Sequence, residues 1–445
     1  MDTVEISKLH QLMYQYDEYK QSLYLSYPIE SYWNRNVQEK QLRERLLQIK
    51  QADLYLHFPF CNEICYYCCC KTIRCLNEQQ KEDYLNLLEK ELEYKFDGKK
   101  DIVIENMHWG GGTPTLMAVN QMQRLLKLLR KHFTLSDEGV RNIEVFPDKN
   151  FVTKEKLMFL YENGFTHISI GVQDLNPRVL NAIHRKAELK DIQDIIHMAR
   201  SIGFQISMDI CYGLPYQGLS EFEYTIKEIF ALQPERIVMY PYSHFPYINA
   251  LQRKIPELSI PNNFIKTLIK KIANDQLAEE YVLFGYDTYL RKDTEEEKDW
   301  ESSELVHGFM GTEKNTGNPL LGVGVSAISK VGNTYIKNQT SLKQYQDMLM
   351  SHIWPVEKMY DMTKDDQIRY DIIEKHILID HCIVPKQIEQ QYGIIFDRTF
   401  ASELVKLKKM QELGLVSGVN TPKIKISEYG HYFIKCIARV FDLYN

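Results

Sequence analysis

Short apolar runs alternate with longer stretches of helical periodicity from Leu54 to about Tyr242. Runs rich in β-branched and aromatic residues predict strands, and apolar residues three or four apart predict helices. The predicted strands cover residues 54–58, 102–108, 142–145, 166–170, 205–210 and 236–240. The predicted helices cover residues 79–96, 119–133, 153–163, 189–202 and 219–232. Because repeated βα units connect through right-handed crossovers, this region predicts an α/β fold with a parallel sheet.

The alternation also suggests how the chain is divided. Six βα units are fewer than the eight of a closed barrel, so residues 51–245 predict a partial (βα)6 barrel. Residues 1–50 are expected to form an N-terminal extension, and residues 246–355 to complete the barrel and cover a substrate. Residues 356–445 predict a mostly helical, winged-helix-like C-terminal domain. The charged run 293–299 is expected to be a solvated surface loop.

Composition narrows the class of protein. The chain has 445 residues, 44% of them hydrophobic and 26% charged, which is typical of soluble globular proteins. A net charge of −6 gives no electrostatic reason to expect a nucleic-acid partner. The N-terminus has no basic and apolar leader, and no apolar run approaches the ~18 residues of a membrane span. We therefore expect a cytoplasmic protein.

Three cysteines carry the strongest chemical signal. Cys61, Cys65 and Cys68 have the spacing Cys-x3-Cys-x2-Cys and follow the first predicted strand. Three thiolates at this spacing can hold three irons of a [4Fe–4S] cluster and leave the fourth iron open to a small molecule. A zinc site usually pairs two Cys-x2-Cys knuckles, and this sequence has no second knuckle. A disulfide framework is not expected in a long chain without a secretory leader. The spacing therefore predicts an iron–sulfur site.

Polar residues follow the later strands at the same edge of the predicted sheet. The glycine-rich run 109–115 follows the second strand, and Glu144, Gln173 and Asp209 end the third, fourth and fifth strands. Taken alone, the glycines could simply form a tight βα turn, and Glu144 could be a surface residue. Arg185 could pair with a carboxylate in bidentate fashion. The shared location at successive strand ends predicts one binding site.

Together these motifs resemble a known family. The series Tyr-x-His-x-Pro-Phe-Cys, Gly-Gly-Gly-Thr-Pro-Thr, Gly-Val-Gln-Asp, Tyr-Gly-Leu-Pro and Gly-Val-Ser-Ala-Ile-Ser is similar to the oxygen-independent coproporphyrinogen III oxidases, or coproporphyrinogen dehydrogenases. That family belongs to the radical S-adenosylmethionine (SAM) superfamily. The Cys-x-Cys that the family carries is matched by Cys68 and Cys70. The resemblance runs from Tyr24 into the C-terminal domain.

The resemblance implies a [4Fe–4S] cluster on Cys61, Cys65 and Cys68 and two molecules of SAM. The positions implied for the first SAM are Tyr55, Gly111, Glu144 and Ile328. The positions implied for the second SAM are Tyr67, Gly112, Thr113, Gln173, Arg185, Asp209 and Ser243. No residue outside the cluster and SAM sites is implied to be catalytic.

The implied reaction is the oxidative decarboxylation of two propionates of coproporphyrinogen III to vinyl groups, which gives protoporphyrinogen IX in anaerobic haem biosynthesis. A tetrapyrrole substrate and an electron donor such as a flavodoxin or ferredoxin would be the partners of a monomeric enzyme. The substrate has four carboxylates, and Arg35, Arg185 and Arg253 are candidates to bind them.

Three segments depart from the family pattern and leave alternatives open. The family's Arg-Tyr-Thr-Ser-Tyr-Pro is replaced by a run that starts at Leu23, and its Gly-Met-Asp-His-Phe by residues 285–289, with Thr288 in place of His. Its Gly-Tyr-Thr-Thr is replaced by residues 311–314. The first alternative is a radical SAM enzyme that acts on haem or another tetrapyrrole, for example by methyl transfer. The second is a non-catalytic protein that binds or delivers haem.

Overall fold

The computed structural model describes residues 3–19, 27–34, 39–96, 101–302 and 305–444. The strands are β1 (Gln51–Phe58), β2 (Phe60–Cys61), β3 (Ile73–Arg74), β4 (Ile102–Gly111), β5 (Phe133–Leu135), β6 (Arg141–Val145), β7 (His167–Gln173), β8 (Gln205–Tyr212), β9 (Arg236–Pro241), β10 (Tyr281–Phe284), β11 (Thr288–Arg291), β12 (Leu305–Gly308), β13 (Gly311–Lys314), β14 (Leu320–Val323), β15 (Ile328–Val331), β16 (Thr334–Asn338), β17 (Val356–Asp361), β18 (Cys382–Ile383), β19 (Val416–Ser417) and β20 (Ile424–Ile426).

Helices connect most of these strands. The α-helices are α1 (Thr3–Met13), α2 (Glu39–Leu47), α3 (Glu78–Phe96), α4 (Val119–His132), α5 (Lys154–Glu162), α6 (Pro177–Ala182), α7 (Leu189–Ile202), α8 (Leu219–Leu232), α9 (Asn263–Leu277), α10 (Glu295–Glu301), α11 (Leu342–Met350), α12 (Lys364–Tyr370), α13 (Pro385–Tyr392), α14 (Phe396–Thr399), α15 (Ala401–Glu412), α16 (Glu428–His431) and α17 (Ile434–Ala438). A π-helical stretch covers Asp371–Ile377, and 3-10 turns cover Glu30–Tyr32, Pro114–Leu116, Ala250–Lys254, Glu257–Ser259 and Arg439–Phe441.

A 13-stranded sheet organises the chain in the order β10-β11-β9-β8-β7-β6-β4-β1-β14-β15-β16-β17, with β5 paired to β4. The six predicted strands correspond to β1, β4, β6, β7, β8 and β9, and they pair in parallel. The helices α3, α4, α5, α7 and α8 lie close to the predicted bounds. These strands and helices are long and strongly periodic, which is why the sequence locates them well.

Strands after residue 242 are the main feature that the pattern missed. Eight strands, β10 to β17, lie where we expected the alternation to fade. The last strand of the parallel set, β14, pairs with β1, and β15 to β17 continue the sheet in antiparallel fashion. Six of the eight are four residues long. Such short strands show too few residues for a period of two to be recognised.

Two large buried clusters form the core. The first lies between the parallel sheet and its helices and includes Trp109 and Phe165, whose rings meet edge to face at 4.9 Å. The second packs C-terminal helices around the three-stranded sheet β18-β20-β19. Leu9 and Leu12 of α1 lie in this second cluster. The N-terminal and C-terminal segments therefore share a core. The domain boundaries drawn from the sequence stay a prediction.

The charged run 293–299 is not the solvated loop that we expected. It contributes to helix α10, and Glu296 in it is only 9% exposed. Glu296 accepts hydrogen bonds from Nε and Nη2 of Arg236 at 3.1 and 2.8 Å and lies 3.4 Å from His167. The expectation was wrong because a run of charges does not reveal that one member faces a partly buried arginine at the start of a distant strand.

Replacing Glu296 with Gln is expected to lower stability in a pH-dependent way. Burial alone would raise the pKa of Glu296, but Arg236 and His167 outweigh it and lower this pKa from 4.5 to about 2. A depressed carboxyl pKa stabilises the folded state above pH 4.5, and this contribution is lost as the pH falls towards 2. In urea unfolding, the free energy of unfolding of the variant should be about 3 kcal/mol lower than that of the wild type at pH 7. This difference should shrink below pH 4.5.

The matched control for this prediction is Glu295→Gln, an exposed position on the same helix. It should change the free energy of unfolding by less than about 0.5 kcal/mol. A Glu296→Gln deficit that stays constant between pH 7 and pH 3 would contradict the electrostatic explanation.

Among the described residues, no helix is long and apolar enough to span a bilayer.

Candidate active site

A cavity of about 330 Å³ lies at the carboxyl ends of the parallel strands. Its walls come from the cysteine loop after β2, the glycine turn after β4, and the ends of β6, β7, β8 and β9. Twelve of the fourteen predicted site residues line it: Cys61, Cys65, Cys68, Tyr67, Gly111, Gly112, Thr113, Glu144, Gln173, Arg185, Asp209 and Ser243. The parallel topology therefore brings together residues that lie up to about 180 positions apart in the sequence.

The cysteine loop is anchored at both ends by backbone hydrogen bonds. Ile73 N donates to the Pro59 carbonyl at 2.7 Å, and Cys75 N donates to the Cys61 carbonyl at 2.8 Å. In the middle of the loop, Tyr66 N donates to the Ile183 carbonyl at 2.9 Å. These bonds close the loop between residues 61 and 75, so its three motif cysteines face the cavity in a defined arrangement.

The thiols of Cys61 and Cys65 have different hydrogen-bond donors beside them. Burial raises the pKa of Cys61 to about 12, against a hydrogen bond from the Thr113 hydroxyl at 3.6 Å. Burial also raises the pKa of Cys65, whose sulfur accepts from Nη1 of Arg185 at 3.4 Å. Since metal ligands are thiolates, iron must displace these protons on binding. The Arg185 charge then offsets part of the negative charge of the sulfurs.

The glycine turn is shaped by close backbone contacts. Gly112 N donates to the Phe58 carbonyl at 2.7 Å, and a Cβ on Gly112 would lie 2.6 Å from the Phe60 carbonyl oxygen. Gly111 has φ of +107°, which other residues rarely adopt. Its N–H donates to Oε2 of Glu144 at 3.0 Å. The run is thus a tight βα turn that also lines the cavity, so the two explanations weighed from the sequence hold together.

Glu144 points into the cavity rather than to the outer surface. Its Oε1 lies 3.0 Å from Nε2 of His108, and Asn142 lies 3.2 Å from the other ring nitrogen. Tyr55 stacks on His108 at 5.7 Å between ring centroids. Tyr55 itself does not line the cavity.

Arg185 is buried at 7% exposure. Nη2 donates to the Gly171 carbonyl, and the guanidinium lies 4.6 Å from the Phe146 ring centroid. Among the described residues, the guanidinium binds a thiol and a carbonyl, and its pairing with the carboxylate of a ligand stays a prediction. Nε of Arg185 is buried without a hydrogen-bond partner in this part of the chain, so it can donate to a ligand.

Asp209 is bound by the Ser169 hydroxyl, which lies 3.1 and 3.0 Å from its two carboxylate oxygens. Burial, followed by the charge of Glu144, raises the pKa of Asp209 to about 7. Nearby, the Tyr240 hydroxyl donates to Oε1 of Gln173, which leaves the Gln173 amide nitrogen for other partners. These groups form a polar part of the cavity wall.

The remaining predicted residues lie elsewhere. Ile328 does not line the cavity; it packs against the buried cluster around Trp33 and Tyr335. Arg253 donates to the Pro246 carbonyl at 3.0 Å in an exposed segment. Leu23 and Arg35 lie outside the described residues.

Sequence reasoning missed several residues of the cavity wall and its supports. Ser169, Tyr240 and Cys211 line the cavity, and all three are at or near the carboxyl ends of predicted strands. That position was a usable signal. Asn249 and Gln252, which donate to carbonyls of the cysteine loop, carry no such signal because they lie in an irregular segment.

The departures from the family pattern that lie in described residues are outside the cavity wall. The Thr288 hydroxyl bonds to the Thr312 hydroxyl at 3.1 Å, and the Thr312 carbonyl accepts from Arg236 at 2.7 Å. The hairpin β12–β13 thus closes the amino end of the barrel, opposite the cysteines. A larger cavity of about 1080 Å³ opens there, beside Glu313 and Lys314, and none of the predicted site residues line it.

The residues of the cavity fit an iron–sulfur cluster. Among the described residues, no three His, Cys, Asp or Glu side chains converge on a position for a single metal ion. Each cysteine of a four-iron cluster binds a different iron, so its thiols need not converge on one point. The three thiols line one cavity with a guanidinium beside Cys65, and this donor set suits a cluster of net negative charge.

Fold and cavity together define a radical SAM protein. A sequence profile of the Radical SAM superfamily matches residues 55–229, which cover the cysteine loop and strands β4 to β8.

Relatives over the whole chain narrow this class. The oxygen-independent coproporphyrinogen III oxidases of Salmonella typhimurium and Escherichia coli K12 are each 32% identical to this chain, over 95% of its length and 92% of theirs. The solved structure of Escherichia coli coproporphyrinogen III oxidase, a radical SAM enzyme, matches with a TM-score of 0.89 over 95% of this chain and 97% of that one. The chain belongs to the family of oxygen-independent coproporphyrinogen III oxidases. The predicted α/β fold is confirmed, and membership implies a [4Fe–4S] cluster and SAM as cofactors.

Proposed function

We propose that this protein converts coproporphyrinogen III to protoporphyrinogen IX. The observation that carries the proposal is the single cavity that collects the three motif cysteines and nine of the implied SAM positions in a chain of this family. Each of two propionates loses one hydrogen atom, CO2 and one electron to become a vinyl group. The reaction therefore needs a one-electron acceptor as well as the cofactors.

The cysteine loop would hold the cluster, and the strand ends would hold SAM. When bound, these cofactors supply the one-electron chemistry that begins hydrogen abstraction. Glu144 already binds Gly111 N and His108, so the glycine turn and β6 act as one support for the first SAM. Gln173, Arg185, Asp209 and Ser243 would hold the second SAM.

The protein's own part is to orient the reacting carbon and to exclude water. A cavity of about 330 Å³ is at the lower end of the range for small-molecule sites. We infer that this space, beside the cysteine sulfurs, receives SAM, with the macrocycle at its mouth. The Arg185 Nε–H is a donor within this space for a carboxylate.

Thr288 and residues 311–314 do not line the cavity, and the Thr288 hydroxyl bonds to the Thr312 hydroxyl, so these departures leave the candidate cofactor site unchanged. We further propose that the enzyme works as a monomer in the cytoplasm. A flavodoxin or a ferredoxin would supply its electrons.

The test is an anaerobic assay of the reconstituted protein with SAM, a strong reductant and coproporphyrinogen III. Deoxyadenosine together with protoporphyrin, after oxidation of the product, is the expected result. Deoxyadenosine that forms only when haem replaces coproporphyrinogen would instead support the haem-modifying alternative. Haem binding without any SAM cleavage would support haem delivery.

Affinity for SAM is expected to rise with pH around neutrality because of Asp209. Its pKa of about 7 makes the side chain mostly neutral at pH 6 and mostly ionised at pH 8. Burial is the main cause of this raised pKa; Glu144 raises it further, and Ser169, His108 and Arg236 lower it. An ionised carboxylate binds the cationic cofactor more strongly. Titration calorimetry should show SAM binding several-fold tighter at pH 8 than at pH 6, and Asp209→Asn should remove most of this dependence. Equal pH dependence in both proteins would contradict the assignment.

A further inference from the structure

The irregular segment between β9 and α9 contains a fully buried glutamine. Gln252 has no exposed surface, and the 3-10 turn Ala250–Lys254 carries it beneath the cysteine loop. The neighbouring Asn249 donates from Nδ2 to the Cys68 carbonyl at 2.6 Å. A polar side chain is buried at a cost unless its hydrogen-bonding groups are used, so the partners of Gln252 reveal its role.

Every polar group of the Gln252 side chain has a partner. Nε2 donates to the Tyr67 carbonyl at 3.3 Å and to the Ser243 carbonyl at 3.1 Å. Oε1 accepts from Phe245 N at 2.5 Å. The same Nε2 lies 3.9 Å from the sulfur of Cys69. One amide thus joins the loop that carries the cysteines to the chain that leaves β9.

The two carbonyls that Nε2 binds belong to residues on two different segments of the cavity lining. Tyr67 lies between Cys65 and Cys68, and Ser243 follows β9. A shift of either segment would change the distance between the cysteine sulfurs and the polar wall. The Gln252 amide resists that shift because both of its N–H bonds are directed, one to each segment.

We propose that Gln252 is a positioning residue that holds the cysteine loop at a fixed distance from the segment carrying Ser243. The proposal deepens the proposed function, on which it rests for the role of Ser243 at the second SAM. Gln252 reaches the implied SAM positions Tyr67 and Ser243 only through their backbone carbonyls, so it acts by positioning these two segments.

The experiment compares two variants at this site with a matched control. Gln252→Leu keeps the size of the side chain and removes all of its hydrogen bonds. Gln252→Glu keeps an acceptor for Phe245 N but cannot donate to both carbonyls. The control is Gln121→Leu: Gln121 is 3% exposed, accepts from Ala118 N at 3.0 Å, donates to Glu82 at 2.7 Å, and lies outside the cavity wall.

Two readouts follow on anaerobically reconstituted proteins. The first is the rate of iron release to a chelator, which we expect to rise about tenfold in both Gln252 variants, as the loss of one to two buried hydrogen bonds would produce. The second is the ratio of deoxyadenosine to decarboxylated product, which should rise several-fold because SAM cleavage loses its alignment with the substrate. Gln121→Leu should lower thermal stability and leave both readouts unchanged.

Gln252 variants that match Gln121→Leu in iron release and in product ratio would overturn the proposal. If the wild type forms no decarboxylated product, the proposed function fails, while iron release still tests the hold on the loop. If Gln252→Leu does not fold, Gln252→Glu alone is compared with Gln121→Leu in the same two readouts.

Discussion

Replacing Cys65 with Ala is expected to abolish both the cluster and SAM cleavage. The thiol lines the cavity with Cys61 and Cys68, and Nη1 of Arg185 donates to it at 3.4 Å. Without the Cys65 sulfur, the cluster keeps two of its three protein ligands. Nη1 of Arg185 also loses its hydrogen-bond acceptor. Anaerobically reconstituted variant should lack the visible charge-transfer absorbance of a [4Fe–4S] cluster, contain little iron and form no deoxyadenosine.

Cys75→Ser is the matched control for this variant. Cys75 lies in the same loop, but its side chain does not line the cavity, and its backbone bond to Cys61 persists in the variant. It should keep its iron and its absorbance. A Cys65→Ala protein with wild-type iron content and spectrum would refute the assignment of the cluster to this loop.

Replacing Glu91 with Leu should cause the largest loss of stability. Glu91 of α3 has no exposed surface and forms a buried ion pair with Lys95. Its carboxylate also accepts from Asn338 Nδ2 and from Gly324 N, both at 2.7 Å. Removing one partner leaves the Lys95 charge buried and uncompensated, which typically costs about 3–5 kcal/mol. Urea unfolding monitored by circular dichroism measures this loss.

Two comparisons separate charge from packing in this prediction. Glu93 lies on the same helix as Glu91, and Glu93→Gln breaks its exposed pair with Lys131 of α4, which should cost less than about 1 kcal/mol. The double variant Glu91→Leu with Lys95→Met removes both charges and should be more stable than Glu91→Leu alone. A double variant that is less stable than the single one would show that the buried charge is not the cause.

The sequence pattern located the helices and strands whose positions depend on nearby residues. The helices α7 and α8 were predicted at their observed bounds because each has an apolar stripe at helical spacing. The cysteine spacing predicted the loop at the end of the first strands, where Cys61 lies. The polar residues at strand ends met in one cavity because parallel strands end at the same edge of the sheet.

Contacts between segments far apart in the chain could not be predicted from the sequence pattern. Arg185 donates to the sulfur of Cys65, 120 residues away, and no local pattern indicates that contact. The charged run around Glu296 predicted a solvated loop. Its partner Arg236 lies on a strand 60 residues earlier, and the local run does not show this contact. Tyr55 and Ile328 lie outside the cavity wall, since a family motif gives the position of a residue but not the direction of its side chain.

The fold changes the interpretation of the departures from the family pattern at residues 288 and 311–314. From the sequence, changes at residues 288 and 311–314 leave the substrate open. In the fold, the Thr288 hydroxyl binds the Thr312 hydroxyl at 3.1 Å and the hairpin closes the end of the barrel opposite the cysteines. These changes therefore alter how the barrel is closed rather than the wall of the candidate active site.

The most direct test of the central claim uses coproporphyrinogen III deuterated at the propionate β-carbons. The proposed reaction moves one hydrogen from that carbon to the 5′ carbon of the nucleoside for each vinyl group formed. Mass spectrometry of an anaerobic reaction should find deuterium in the deoxyadenosine and divinyl product in matching amounts. Unlabelled deoxyadenosine, formed with no vinyl product from this substrate, would contradict the proposed function.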